Sequence, residues 1–450
     1  MTTIAASVLR ELPPLLRLAI PLVIGLSATT LISMTDTLFL APLGEAPLGA
    51  VALTSSVAMI FYASIYGALS VVGVNVAHAY GAGDTRAIAR EVRTGLAFAA
   101  RLGCGGAIAM ALAQFLLPHV GQPAAVLAIL PGYWLCTAAL LIPFALLIVL
   151  KGLFDAIGRP WLGVAFAFLG VALNVPLNAM LIYGFGPLPP LGLLGAGIAS
   201  LTAETFAFGA GFLYWRRARA MRRMRIRATV TTRDLAAVAR DGGPLGLMYA
   251  AETGAYALAG LLLGWFGATA LAANQIVGSV SGLLYMLPLG MAAAVAIRIG
   301  QAQGGGDVAR LRPIGLAALI AVSAWTLSAT GLLLVAGSTI AHRIAPTAEV
   351  AALASGLFVI VAAMQVMDGL QSTSLGALRG LRDNSFPAIV SIAVYWGVAL
   401  PAAYAAAVGL GLGPAGVWAG FGAGLAIAAA VLTVRFVLLT RSAVRAGAAA

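Results

Sequence analysis

Pro244-Leu-Gly-Leu-Met-Tyr249-Ala-Ala-Glu252-Thr-Gly-Ala-Tyr256, continued by an apolar run to Phe266, is long enough to cross a bilayer. About 20 residues rising about 1.5 Å each span the roughly 30 Å hydrocarbon core. One charged residue, Glu252, sits inside the run. A carboxylate at that depth is expensive, and membrane proteins keep such groups mainly for ion paths, proton relays and ligand sites. Tyr249, Glu252 and Tyr256 follow the spacing i, i+3, i+7, so on a straight helix they share a face. That face reads as a cavity wall, an acid flanked by two aromatic rings.

The composition extends this reading to the whole chain. Of 450 residues, 62% are hydrophobic and 9% charged, with a mean hydropathy of +1.02. A soluble domain would carry about 25% charged residues. The chain is therefore expected to be an all-α polytopic membrane protein. Its net charge of +12 does not imply a nucleic-acid partner, because the basic residues are concentrated between apolar segments, as the positive-inside rule predicts. No cleavable signal peptide is expected, since Arg10-Glu11-Leu-Pro-Pro runs straight into a full-length span. Cys104 and Cys136 lie in apolar segments and read as small buried hydrophobes.

Twelve apolar segments are expected near 16–40, 50–76, 94–117, 125–149, 161–185, 193–214, 244–266, 270–296, 313–336, 348–376, 386–409 and 415–439. Pro143, Pro176, Pro288 and Pro401 fall within spans as candidate kinks. Every second loop is basic. Arg86, Arg90 and Arg93 lie in one, Lys151 and Arg159 in the next, and nine arginines from Arg216 through Arg227 to Arg240 in the third. Arg298, Arg310 and Arg312, then Arg379 and Arg382, then Arg441 and Arg445 continue the series, while the opposite side carries little beyond Arg343. Both termini are thereby expected in the cytoplasm. Arg101 and Arg435 are close enough to that interface to snorkel.

The chain repeats itself. Gly67 matches Gly290, and Tyr80-Gly-Ala-Gly-Asp84 matches Gln303-Gly-Gly-Gly-Asp307 at the same offset. Leu150-Lys-Gly-Leu-Phe-Asp155 matches Leu378-Arg-Gly-Leu-Arg-Asp383, each followed by a proline, Pro160 and Pro387. This predicts two pseudo-symmetric six-helix bundles, 1–214 and 244–450, joined by a basic cytoplasmic linker at 215–243. Six spans per half is an even number, so both halves enter from one side, as in transporters built from parallel repeats.

Four acids fall within spans: Asp36, Glu204, Glu252 and Asp368, and no lysine within the spans offers itself as their partner. A carboxyl in hydrocarbon can be neutralised by a proton or by a bound cation, which is the physical logic of a cation-coupled cycle. Asp36 stands between Thr35 and Thr37 toward the outer end of the first span. Asn174 and Asn178 share a face of the fifth span at similar depth, around Pro176, and Thr202 follows in the sixth. Hard oxygens from Asp, two Asn and Thr suit Na⁺ or a proton held in a hydrogen-bonded carboxyl. Asp368 has Gln365, Gln371 and Ser372 as helical neighbours, a second polar face that can oppose Glu252. Glu204 faces about 200° away from Thr202, so the two cannot serve one narrow cluster. There is no nucleophile elbow, P-loop or histidine pair, and His78, His119 and His342 all lie near loops. An enzyme is not expected, and without an ATP site transport would draw on ion gradients.

At these residues the chain resembles the multidrug and toxic compound extrusion family, and within it the bacterial NorM-type branch. The resemblance rests on Ser33-Met-Thr-Asp36-Thr, Leu173-Asn174-Val-Pro-Leu-Asn178, Ala272-Ala-Asn-Gln-Ile276, Met286-Leu-Pro-Leu-Gly-Met291 and Leu378-Arg-Gly-Leu381, in order along nearly the whole chain. It implies two six-helix bundles around a central cavity, and Na⁺- or H⁺-coupled antiport that exports cationic, hydrophobic drugs by alternating access. It also implies a cation site at Asp36, Asn174 and Asn178, and acids of the second half at Glu252 and Asp368; the helical faces read above add Tyr249, Tyr256 and Gln365 to the wall of the substrate cavity. Where that branch often has a tyrosine one turn before the tenth-span acid, this chain has Met364. The expected protein is a monomer of the inner (plasma) membrane, needing no cofactor beyond its coupling ion and meeting only small substrates and lipid. The competing readings are a lipid-linked saccharide flippase of the same superfamily, which would line its cavity with basic residues, and a polyprenyl-type membrane enzyme, which would gather acids at the membrane face.

Overall fold

Apolar runs decide where the helices lie, but caps and prolines decide how they begin and end. The computed structural model describes residues 2–120, 123–186, 189–225 and 229–449. Among the described residues, twelve helices are long and apolar enough to cross a membrane. They are α1 Thr2–Leu40, α2 Glu45–Gly81, α3 Thr85–Ala113, α4 Ala124–Ala156, α5 Pro160–Tyr183 and α6 Gly192–Arg217. Then come α7 Thr232–Gly264, α8 Ala268–Gly304, α9 Val308–Ile344, α10 Ala348–Gly380, α11 Ser385–Gly409 and α12 Pro414–Ala449. Arg227 lies outside the described residues, and so does the side chain of Arg445. Several helices outrun their apolar segments. α1 and α7 each begin more than ten residues earlier, because backbone hydrogen bonding continues a helix into water where hydropathy no longer marks it.

The matched motifs at Asp84 and Asp307 are the same turn. Gly83 and Gly306 take φ of +70° and +75°, a left-handed conformation that glycine alone enters without penalty. The amides of Asp84 and Asp307 then bond the carbonyls of Ala79 and Ala302 at 3.0 and 2.9 Å. Asp84 caps α3, its carboxylate accepting from the amides of Arg86 and Ala87, both at 2.9 Å. In α11 the π turns Tyr395–Ala399 and Ala405–Gly409 flank Pro401. A proline has no amide to donate and crowds the preceding turn, and a wider turn relieves both.

Ile24–Ala250 forms one compact unit, and Met1–Val23 with Ala251–Ala450 forms the other. In the amino-terminal unit α4 is central, packed on α2, α3 and α6; in the carboxy-terminal unit α10 is central, packed on α8, α9 and α12. Without a hydrophobic driving force between helices in lipid, close approach depends on small residues. Gly73 of α2 meets Gly152 of α4 in this way: a Cβ added to Gly73 would lie 3.4 Å from the Gly152 Cα.

The boundary between units differs from one drawn at the linker. The chain passes from unit to unit inside α1 and inside α7. The repeat-matched glycines give the reason. A Cβ on Gly67 would fall 2.6 Å from the carbonyl oxygen of Leu245, so α2 has a notch that takes the first part of α7. A Cβ on Gly290 would fall 3.2 Å from the backbone nitrogen of Val23, so α8 has the matching notch for the first part of α1. Ion pairs hold α1 there. Glu11 binds Arg298 at 2.8 Å and Arg310 at 2.7 Å. Cys104 is exposed and Cys136 half-buried, both as free thiols, so neither is the fully buried residue the sequence suggests. Arg435 is paired instead of snorkelling: it binds Asp383 at 3.0 Å and stacks 4.6 Å above the Phe386 ring.

Candidate functional site

α5 carries Asn174 and Asn178 one turn apart, and both are completely buried with Asp36 of α1 beside them. Asn178 Nδ2 donates to Asp36 Oδ1 at 2.6 Å and to Asn174 Oδ1 at 3.0 Å. Asn174 Nδ2 reaches Asp36 Oδ1 at 3.4 Å and Ser200 Oγ at 3.0 Å. The Ser200 hydroxyl, from α6, donates to the second carboxylate oxygen at 2.6 Å. Asn178 Oδ1 is buried with no hydrogen-bond partner among the described residues. A buried carbonyl oxygen left open is uncommon and calls for an explanation. Together the carboxylate, two amide oxygens and one hydroxyl form a hard-oxygen set able to hold a small cation or a proton.

The structure brings Asp36, Asn174 and Asn178 together, but Thr202 does not join them. Thr202 is exposed, and Ser200 stands in its place. The buried stripe of α6 runs through Ala196, Ala199, Ser200, Ala203, Glu204 and Ala207, and two residues' advance turns a side chain to the opposite side. The same rotation places Glu204 on the buried face, one turn from Ser200, with 7% of its surface exposed. It is not alone there. Lys151, read from the sequence as a loop residue, belongs to α4 and interacts electrostatically with Asp155 and Glu204. It extends past two helices where glycines leave room: a Cβ on Gly163 would lie 2.9 Å from its Cγ, and one on Gly25 2.8 Å from its Nζ.

In the carboxy-terminal unit, Tyr395 of α11 donates its hydroxyl to Glu252 Oε1 at 2.8 Å. The next residue, Trp396, donates to the carbonyl of Ala251 at 3.0 Å and ties α11 to α7. Asp368 of α10 interacts electrostatically with Glu252. Gln365, one turn earlier, is buried, and its Nε2 has no hydrogen-bond partner among the described residues. The Tyr256 ring lies 6.1 Å from Tyr395 and 5.1 Å from Phe421. Tyr249 belongs elsewhere. It packs on α2 of the amino-terminal unit, its ring 5.8 Å from that of Tyr66 and against Gly67. The expected shared face is split because α7 passes from one unit to the other between Ala250 and Ala251. Tyr395 was missed by sequence reading. Its only signal is a Tyr-Trp pair inside an apolar segment, six residues before a proline.

Comparison with known proteins identifies the family. The MatE family model matches residues 21–180 and 244–405. A probable multidrug resistance protein NorM from Deinococcus radiodurans is 35% identical, with 98% of this chain and 99% of that protein covered. The multidrug resistance protein NorM of Burkholderia vietnamiensis is 34% identical, covering 95% of this chain and 94% of the relative. Among solved structures, a eukaryotic MATE transporter superposes with a TM-score of 0.87 at 20% identity, over 97% of this chain and 99% of that one. An outward-facing multidrug resistance MATE transporter gives 0.86 at 21% identity, over 96% of both chains. These two support the fold. The family match and the full-length relatives go further: the chain belongs to the MatE family, and it is a multi-pass membrane transporter and not an enzyme.

Proposed function

We propose that this transporter exports cationic, hydrophobic small molecules in exchange for Na⁺ or H⁺, by alternating access. The observation that carries the coupling is the Asp36 carboxylate, held by Asn174, Asn178 and Ser200 with one amide oxygen still unfilled. A site with open oxygen ligands and a single carboxylate gains most from one small positive charge. The multidrug resistance proteins among its relatives support small-molecule drugs as cargo. Glu252 and Asp368, beside the rings of Tyr256 and Tyr395, are groups suited to a cation with apolar parts. The alternating basic loops support an inner-membrane protein with both termini in the cytoplasm, acting as a monomer, and the bodies that would rock during the cycle are the two compact units, Ile24–Ala250 and Met1–Val23 with Ala251–Ala450.

The test is export of a cationic dye from vesicles carrying the purified chain, with Na⁺ and pH gradients imposed separately. One of the two gradients drives export in the wild type. Asp36→Asn keeps the shape of the side chain and removes its charge, so it abolishes gradient-driven export while membrane abundance stays near normal. Export indifferent to both gradients, or unchanged in Asp36→Asn, would overturn the coupling.

A further inference from the structure

Of the 26 lysine and arginine residues in the chain, one is lysine. It is Lys151, and it stands between two carboxylates inside the amino-terminal unit. The choice of residue matters there. An arginine does not release its proton in a protein, whereas a lysine taken out of water can. Asp155 and Glu204 are 5% and 7% exposed, and Lys151 is the charged partner of both. Asp155 Oδ1 has no hydrogen-bond partner among the described residues. The lysine stem fills the slot left by Gly163 of α5, and its Nζ lies against Gly25 of α1. Those two helices bring no titratable group to it. α2 brings Tyr62, which interacts electrostatically with Glu204 and with Asp36. Two acids and one base, all ionised, carry one negative charge, so the cluster is neutral when it holds one proton more.

These groups follow one another across the membrane. Asp36 lies near the end of α1 and Asp155 at the end of α4. Consecutive spans alternate in direction, so the two acids lie toward opposite faces. Between them, Ser200 donates to Asp36, and Glu204 follows one turn further along the buried face of α6, its Cβ about 5–6 Å from that of Ser200. Lys151 and Asp155 are one turn apart on α4. We propose that Glu204, Lys151 and Asp155 carry the coupling proton between Asp36 and the membrane face at which α4 ends. Glu204 takes the proton that leaves Asp36. Its carboxyl gives that proton to Lys151 as the ammonium gives one of its own to Asp155, and Asp155 releases it to water. Glu204 is again a carboxylate and Lys151 again an ammonium, so one proton has moved and no charge is left behind. The flexible four-carbon stem lets the ammonium turn from one acid to the other. The proposal rests on the coupled export argued above, and it adds that the coupling ion is a proton and by which groups it travels.

The test separates proton movement from turnover of the carrier. The full chain is placed in liposomes with pyranine inside to report pH, and ethidium is the transported cation. Two rates are read. One is ethidium uptake driven by a pH gradient, with the proton efflux that accompanies it. The other is exchange of labelled for unlabelled ethidium with no gradient, which needs the carrier to turn over but moves no net proton. Glu204→Gln keeps the shape of its side chain and Lys151→Arg keeps the charge, so both spare a cluster that only packs and both block a relay. Each is expected to lower driven uptake and proton efflux at least tenfold and to leave exchange within twofold of wild type. If Lys151→Arg does not give monodisperse protein, Asp155→Asn takes its place with the same expectation. Full driven uptake in these variants overturns the relay. Equal loss of driven uptake and exchange overturns it as well, because packing alone then accounts for the cluster. Wild-type uptake driven by a Na⁺ gradient with no proton movement overturns the relay and leaves the export reading standing. A wild-type chain that moves no ethidium under either gradient removes both.

Discussion

Ser200 holds Asp36 through a 2.6 Å hydrogen bond while accepting one from Asn174, so a single hydroxyl keeps the carboxylate and one amide in register. A hydrogen bond to a charged group contributes about 1.5–3 kcal/mol, and about 1.4 kcal/mol is a factor of ten. Ser200→Ala is expected to lower gradient-driven export by roughly tenfold or more, and Thr202→Ala to leave it unchanged. Vesicle export assays of both variants at matched abundance check this; the reverse order would remove Ser200 from the site. The aspartate and both asparagines are legible in sequence because polar side chains one turn apart inside an apolar helix have few ordinary uses. Ser200 is not, because a serine in a helix of glycines and alanines looks like close packing, and only the rotation of α6 separates it from Thr202. Glu252 makes a similar contrast. Tyr395 donates to it, and a glutamine keeps an acceptor for that bond while losing the charge. Glu252→Gln is expected to preserve the fold and to weaken cationic substrates at least tenfold more than neutral ones of similar shape. Equal loss for both classes, measured by direct binding, would make the residue a packing acid.

The first helix is held by something its hydropathy does not report. Glu11 precedes the apolar run of α1 and pairs with Arg298 of α8 and Arg310 of α9. Its side chain is only 8% exposed, against 20% and 44% for its partners. Exposed ion pairs contribute about 0–1 kcal/mol, and breaking a fully buried one costs about 3–5 kcal/mol. Glu11 falls between, so Glu11→Gln is expected to cost about 1–3 kcal/mol and to lower the thermal midpoint in detergent. Asp241→Asn makes the comparison. Its pair with Arg240 joins chain neighbours 39% and 80% exposed, and its loss is expected to leave the midpoint where it was. A larger effect at Asp241 than at Glu11 would break this ranking. Helix identity was readable throughout because long apolar runs admit little else. The starts of α1 and α7 were not, since those turns lie in polar sequence and are held by Glu11, Gly67 and Gly290, whose contacts are far apart in the chain.

Both repeats use the same glycine turn before an aspartate and the same notch in their second helix, so the halves obey one plan that the matched motifs reveal before any coordinates do. What the motifs do not reveal is where α1 and α7 change units, because a repeat fixes which residues correspond and not which neighbour each helix half packs against. The repeat fixes which connections share a side. Six spans per half bring the chain back to its starting side, so the stretch between α6 and α7 shares a side with both termini. That stretch carries nine arginines in residues 215–243, and Arg216, Arg217, Arg219, Arg222 and Arg223 are all exposed. Moving such a loop outward across a membrane opposes the charge bias that sets topology. A cysteine at Ala220, exposed between α6 and α7, in a chain with Cys104 and Cys136 replaced by serine, is therefore expected to resist an impermeant thiol reagent added outside intact cells and to react once the membrane is opened. A cysteine at Pro190, exposed between α5 and α6, one crossing away, is expected to react from outside. Labelling of the first site and protection of the second would invert the whole molecule, and would put the outer ends of α1 and α5, where Asp36 meets Asn178, on the cytoplasmic side.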